Sequence, residues 1–135
     1  MTQPSNDIRS LLRSTETIAV VGASDNPARA SFQVGQYLIK HGYTVWFVNP
    51  NLDTIVGQPV FPSLLDLPSA PDIVDVFRKP ADLPAVLAEA ISCGAKTLWL
   101  QLGIRDEHIE RDAIAAGMNV VMDRCIMVDH MELLS

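Results

Sequence analysis

The chain has 135 residues, of which 48% are hydrophobic and 19% charged, and its formal net charge is −6. This length and composition fit one domain with a core of its own and exclude the disordered class. The acidic balance argues against nucleic acid as a partner, because neutralising phosphates needs a basic face. The polar first fifteen residues and the two cysteines predict a cytoplasmic chain without a signal peptide or membrane contact.

Five short apolar runs each predict a β-strand. Most are rich in β-branched residues and do not alternate with polar ones, which is typical of strands buried on both faces of a parallel sheet. Asp75 is the charged exception. The runs cover residues 18–21, 45–48, 73–77, 97–100 and 119–122.

Helical patterns lie between the strands. Leu83, Leu87 and Ile91 recur with the spacing of one helix face, and Gly94 ends that helix. Comparable patterns predict helices from about Asn6 to Arg13, before Gly42, before Gly117 and from Ile126 to Leu134. The proline-rich stretch from Asn51 to Pro71 predicts a loop with one helical turn near Ser63–Leu67.

Strands that alternate with helices predict a single Rossmann-like, doubly wound α/β domain over residues 1–135, with its core at about 15–126. Its sheet is expected to be mainly parallel and five-stranded. Right-handed crossovers bring the loops that follow the strands to one edge of the sheet, where ligands bind in such folds. These loops begin at Gly22, Asn49, Arg78 and Leu102.

The loop Gly22-Ala23-Ser24 predicts an anion site after the first strand. Glycine lets a phosphate approach the main chain, and the small residues beside it leave room. Arg29 offers a forked cation, and Ser31 offers a hydroxyl beside a helix N-terminus. A glycine that only ends a strand and a serine that only caps a helix would explain the same residues without a ligand.

The end of the second strand argues against a nicotinamide dinucleotide. Domains that bind NAD usually place Asp or Glu there, and those that bind NADP accommodate the extra phosphate with Arg. This chain has Asn49 and Pro50 instead, and the G-x-G-x-x-G fingerprint is incomplete because residue 24 is serine. A redox-sensing domain that binds NAD therefore remains an alternative, although the absence of an acidic residue at position 49 argues against it.

Cys125 is the candidate for thiol chemistry. It follows Arg124 after the last strand, and a cation and a helix start both favour a thiolate. A structural cysteine beside a salt bridge is the competing interpretation. The three histidines have no metal-ligand spacing, and no Ser-His-Asp or Cys-His arrangement is readable, so we expect neither a metal site nor catalytic residues.

Taken together, these residues make the sequence resemble the small CoA-binding protein family, the stand-alone relatives of the CoA-binding domain in the alpha subunit of succinyl-CoA synthetase. The resemblance runs from about residue 15 to residue 126. Its most specific parts are Trp-Leu-Gln-Leu-Gly at 99–103 and Met-Asp-Arg-Cys at 122–125. It implies a Rossmann-like fold with coenzyme A or an acyl-CoA lying over the strand ends.

The resemblance also implies a role for each loop. By that likeness the phosphate groups would be held by Gly22, Ala23, Ser24, Arg29 and Ser31. The adenosine would be flanked by Asn49 and Pro50, and a wall for adenine or ribose would be formed by Phe77 and Arg78. The pantetheine arm would be approached by Gln101, Leu102 and Gly103. The chain departs from the family pattern at Asn51, where Lys or Arg commonly follows Asn-Pro. Lys79 is the candidate replacement as a contact to the 3′-phosphate.

The resemblance implies binding without ligase chemistry. The histidine that carries phosphate in the synthetase has no counterpart, because His41, His108 and His130 lie in no matching motif. The leading hypothesis is a module that binds CoA or acyl-CoA. A small enzyme that uses Cys125 or a residue of a partner protein is the alternative. The apolar tail from Ile126 to Leu134 is a candidate homodimer surface, or it packs on its own domain.

Overall fold

The computed structural model describes residues 5–134; residues 1–4 and 135, which the predicted domain includes, lie outside the described residues. Helices and strands alternate along this range. In chain order they are α1 Ser5–Ser14, β1 Thr17–Val21, α2 Ala30–Lys40, β2 Thr44–Val48, β3 Thr54–Ile55, β4 Gln58–Phe61, β5 Ile73–Val76, α3 Leu83–Cys93, β6 Thr97–Leu100, α4 Glu107–Ala115, β7 Asn119–Val121 and α5 Ile126–Leu134.

The strands form one sheet in the order β3-β4-β2-β1-β5-β6-β7. All neighbours pair in parallel except β3, which runs antiparallel to β4. The chain steps outward from β1 to β2 on one side and then crosses to β5 on the other side. This reversal is the switch point at which doubly wound sheets bind ligands. The predicted fold class, a Rossmann-like α/β domain with a mainly parallel sheet, is confirmed.

The predicted number of strands was wrong: the sheet has seven strands in the described residues, not five. The two additional strands, β3 and β4, lie in the stretch that the prolines predicted to be a loop. They are joined by Val56 and Gly57, which both have positive φ angles, as a two-residue hairpin turn of type I′ requires. Pro59 is tolerated because β4 pairs with β2 only at Val60 and Phe61, so residue 59 lies outside that ladder. The helical turn is present at Leu64–Asp66, where the Ser63 side chain caps it.

Apolar side chains cover both faces of the sheet. On one face Val74, Val76 and Leu98 pack under α3 and α4. On the other face Phe47 and Trp99 are fully buried beneath α1, α2 and α5. Helix α5 contacts α1 and α2, and its first residue, Ile126, is fully buried, so the apolar tail packs on its own domain. Within the described residues no helix combines the length and the apolarity that crossing a membrane needs.

Asp75 interrupts this core in the middle of β5. Its side chain is fully buried, and neither carboxyl oxygen has a hydrogen-bond partner among the described residues. Desolvation by burial raises the pKa of this carboxyl well above its ordinary value. The charged exception in the sequence is therefore a carboxyl whose buried, unpaired position favours its neutral form.

Candidate functional site

A polar cavity of about 440 Å³ opens at the carboxyl ends of β1 and β2. The loop after β1 forms one wall and the first turn of α2 forms another. The loop after β2 and the residue that follows β5 complete the cavity. Its lining residues are Gly22, Ala23, Ser24, Asp25, Arg29, Ala30, Ser31, Asn49, Asn51, Leu52 and Phe77.

Gly22 lets two loops meet at this cavity. Its φ angle is +82°, in the left-handed region that side chains disfavour. A Cβ atom at this position would lie 2.7 Å from the Phe77 carbonyl oxygen and 2.9 Å from Arg78 Cδ. Both the backbone conformation and the close approach of the residues after β5 therefore require glycine here.

The N-terminus of α2 faces the polar cavity without a cap. Arg29 occupies the N-cap position in an extended conformation, and its side chain makes no capping hydrogen bond. The first-turn N–H groups of a helix lack intrahelical acceptors and carry a partial positive charge. Ser31 is buried inside the first turn and does not cap the helix, contrary to that interpretation of the sequence. The helix end thus offers unused donors to an anion.

Arg29 adds a cation at the same place. Its side chain is exposed, and none of the ion pairs among the described residues involves it. A guanidinium group presents several N–H donors in a planar fork, which suits phosphate oxygens. A charged donor and an uncapped helix end therefore face one small space.

Asn49 lines this cavity, and its side chain links two of the loops around it. Its Nδ2 donates to the Ala23 carbonyl oxygen over 2.8 Å, and its Oδ1 accepts from the Asn51 N–H over 2.7 Å. The Val48 carbonyl oxygen also accepts from the N–H groups of Gly22 and Ala23. The side-chain amide that stands in place of the NAD-binding carboxylate therefore ties the loop after β1 to the loop after β2.

A second, apolar cavity of about 460 Å³ lies beside the polar one. Ala30 and Phe77 line both, so the Phe77 ring stands at their junction. Leu102 is a large apolar residue at its rim and is 69% exposed. The cavity is lined by Ala30, Phe77, Arg78, Lys79, Gln101, Leu102, Ile104 and Cys125.

Most polar groups around the apolar cavity are engaged within the protein. Gln101 is buried, and its Oε1 accepts from the Ile126 N–H over 3.0 Å, which attaches the start of α5 to β6. Arg78 pairs with Asp82 over 3.0 Å. Lys79 is exposed and takes part in none of the ion pairs among the described residues. Among the described residues Lys79 is therefore a cation that is free for a ligand at this end of the groove.

The structure does not bring every predicted site residue into these two cavities. Pro50 lines a separate cavity of about 280 Å³ on the other side of the sheet edge, together with Arg78 and Asp82. Gly103 lines neither of the two, and its N–H donates to Asp123 Oδ1 over 2.7 Å. Sequence reasoning overlooked Leu52 and Ile104, which do line the cavities, because single apolar residues in loops carry no periodic signal.

Cys125 lies in the wall of the apolar cavity, but the Arg124 side chain is bonded to another residue. The Arg124 guanidinium binds Asp129 through Nε and Nη2, over 2.7 and 2.9 Å. These hydrogen bonds raise the pKa of Arg124 and pair its charge with the Asp129 carboxylate. In the described part of the chain, no group of three or more His, Cys, Asp or Glu side chains is placed to hold a metal ion.

Comparisons with known proteins identify the family of the chain. A family model described as a CoA binding domain matches residues 16–131. YneT, an uncharacterized protein of Bacillus subtilis (strain 168), is 37% identical over 131 residues, which cover 96% of this chain and 97% of that protein. The structure of a hypothetical protein from Pyrococcus horikoshii OT3 has a TM-score of 0.95 at 38% identity, over 98% of this chain and 94% of that chain.

A much longer enzyme contains a related segment. The ADP-forming acetate–CoA ligase II of Archaeoglobus fulgidus is 32% identical over 92 residues, which cover 67% of this chain but only 14% of the ligase. The similarity therefore concerns one segment of that enzyme.

Proposed function

Because this chain belongs to the CoA binding domain family, we propose that it binds coenzyme A or an acyl-CoA in the groove formed by its two cavities. Coenzyme A has a nucleotide half with several phosphate charges and a long, uncharged pantetheine arm. The groove has one polar half with free donors and one apolar half. This match between the two halves of the ligand and the two halves of the groove carries the proposal.

The phosphate groups are assigned to the polar cavity. The loop Gly22–Ser24 brings main chain close to the ligand, and the uncapped start of α2 provides N–H donors. Arg29 neutralises charge there although the chain as a whole is acidic. Ser31 contributes a hydroxyl in the same turn. The 3′-phosphate is the exception: the cation assigned to it, in place of a basic residue at Asn51, is Lys79, which lines the neighbouring apolar cavity.

The adenosine and the pantetheine arm are assigned to the walls around Phe77. Phe77 lies where the cavities meet, so it can contact both the nucleotide and the arm. Leu102 and Ile104 offer apolar contact to the arm. Asn49 acts by holding the loop after β1, and Pro50 remains a candidate contact for the adenosine end.

The proposed function is binding without ligase chemistry. Among the described residues, those that line the groove form no acid–base pair and no nucleophile with its base. The location of Cys125 favours a second candidate, a redox-linked module. Its thiolate would attack CoA disulfide, form a Cys125–CoA disulfide and release the other CoA as a thiolate. Mass spectrometry after incubation with CoA disulfide tests this candidate: an adduct on wild type and on Cys93→Ser but not on Cys125→Ser is expected.

Calorimetric titration of the purified chain with CoA, NAD and ATP, each in a separate experiment, tests the proposal. We expect CoA to bind most tightly, because only CoA places an uncharged arm in the apolar cavity. Binding of NAD without binding of CoA would refute the proposed function and favour the dinucleotide alternative.

A further inference from the structure

Two loops are joined by hydrogen bonds at the rim of the apolar cavity. The loop after β6 covers residues 101–104, and the loop after β7 covers residues 122–125. Asp123 Oδ1 accepts from the Gly103 N–H over 2.7 Å, and the Asp123 N–H donates to the Ile104 carbonyl oxygen over 3.2 Å. Asp123 therefore binds the first loop through both its side chain and its backbone.

The segment that Asp123 holds is a four-residue turn. The Ile104 N–H donates to the Gln101 carbonyl oxygen over 2.9 Å, which closes a β-turn with Leu102 and Gly103 at its centre. Gly103 has a φ of +88°, and nothing lies within 4 Å of where its Cβ would be. A side chain at Gly103 would therefore find no neighbour among the described residues, and the Asp123 carboxylate adds a restraint on the turn there.

This turn carries apolar side chains of the cavity. Leu102 and Ile104 both line it, and Leu102 is 69% exposed. An exposed leucine has little packing of its own to hold it in place. Its position over the cavity therefore depends on the orientation of the turn.

Asp123 has a backbone conformation that few residue types adopt. Its φ angle is +58°, in the left-handed region that glycine, asparagine and aspartate adopt more readily than other residues. The residue is exposed, so it contributes little to the core. A carboxylate at such a position is explained by the bond that it makes to Gly103.

We propose that Asp123 is a positioning residue that fixes the turn 101–104, and with it Leu102, over the pantetheine half of the groove. This inference rests on the proposed function. Asp123 does not touch the ligand in this account. It reduces the freedom that Leu102 and Ile104 must lose when the pantetheine arm binds, which is the usual gain from preorganisation.

Two substitutions test the role of the Asp123 carboxylate without straining the backbone. Asp123→Gly removes the carboxylate and tolerates the positive φ, so the backbone is not strained. Asp123→Asn keeps an acceptor oxygen and also tolerates that φ. Each variant is titrated with CoA and with 3′-phospho-ADP, the nucleotide half of CoA, which lacks the pantetheine arm.

For Asp123→Gly we expect about a threefold to tenfold loss of CoA affinity, the effect of one hydrogen bond to a charged acceptor at an exposed site. Affinity for 3′-phospho-ADP should change by less than about twofold, and Asp123→Asn should recover most of the lost affinity for CoA. The double variant Leu102→Ala, Asp123→Gly should lose less binding free energy for CoA than the sum of the losses in the two single variants, because the carboxylate acts through the leucine.

The outcomes distinguish this inference from the proposed function. Unchanged CoA affinity in Asp123→Gly, or equal losses for CoA and 3′-phospho-ADP, would overturn the positioning role and leave CoA binding intact. A wild-type chain that binds neither ligand would overturn the proposed function and the positioning role with it.

Discussion

The polar and apolar cavities lie side by side but are built in opposite ways. In the polar cavity the start of α2 has no cap, and Arg29 has no ion pair with a described residue. Around the apolar cavity Gln101 and Asp123 direct their oxygens to backbone N–H groups of the protein itself. The polar half keeps Arg29 and the start of α2 for a ligand. In the apolar half Gln101 and Asp123 shape the wall, and Lys79 takes part in none of the ion pairs among the described residues.

This difference separates two kinds of recognition. Free charged donors give affinity for an anion that falls as salt screens the charges. A preorganised apolar wall gives affinity that depends on shape and on buried area, with little dependence on salt. A ligand with one charged end and one uncharged arm uses both, and the predictions below test each half separately.

Gly22→Ala should have the largest effect, because it obstructs the junction of the two halves. The new Cβ would meet the Phe77 carbonyl oxygen at 2.7 Å in a backbone with positive φ, so we expect a loss of about 2–4 kcal/mol in the free energy of unfolding and the loss of CoA binding. Urea denaturation and calorimetry measure the two effects.

Gly117→Ala is the matched control for that substitution. Gly117 has a φ of +90° but nothing within 4 Å of its Cβ position, so it should lose only about 1 kcal/mol and keep CoA affinity. Equal destabilisation in both variants would show that the close approach at Gly22 contributes nothing.

Arg29→Ala tests the charged half alone. Loss of one charge-assisted contact should weaken CoA binding by about ten- to a hundredfold, and the remaining affinity should depend less on salt. Arg9→Ala, on the exposed side of α1, is the control and should leave the affinity unchanged. Unchanged CoA affinity in Arg29→Ala would remove this residue from the phosphate site.

Asp75→Leu is expected to change the stability of the core without changing CoA binding in the groove. The buried carboxyl has a raised pKa, so the folded chain keeps a proton that the unfolded chain releases as the pH rises above about 4. The wild type therefore loses stability with rising pH through that window. Leucine has the same branching and no such cost, and it should add about 1–2 kcal/mol at pH 7, less at pH 4.

Affinity for CoA should be nearly unchanged in Asp75→Leu, because the carboxyl lines neither cavity. Lower stability of this variant at both pH values would mean that the carboxyl has a stabilising partner in the folded protein.

Cys125→Ser should have the smallest effect. Under reducing conditions we expect CoA affinity to change by less than about twofold, since the thiol contributes only a small part of the apolar wall. A large loss would place Cys125 among the residues on which binding depends.

The sequence predicted the central strands well but not the edge of the sheet. Buried parallel strands are continuous apolar runs, as at Ile18–Val21, and their signal is local. Strands β3 and β4 are short, contain Pro59 and turn at a valine with positive φ, so propensity argued against them. The pairing of β4 with β2 is a tertiary contact that no local pattern encodes.

For the site, the sequence indicated which loops meet but not how their polar groups are used. The motifs identified Gly22, Arg29 and Phe77, and all three line the groove. They could not show that Asn49 is bonded to Ala23 and Asn51, or that Asp123 supports Gly103. Those roles depend on hydrogen bonds between loops that are distant in the chain.

A crystal structure of the chain grown with CoA tests the central claim most directly. The account predicts a pyrophosphate at the start of α2 within hydrogen-bond distance of Arg29, and a pantetheine arm that passes Phe77 toward Leu102. Density for CoA elsewhere on the molecule, or with its arm outside the apolar cavity, would contradict it.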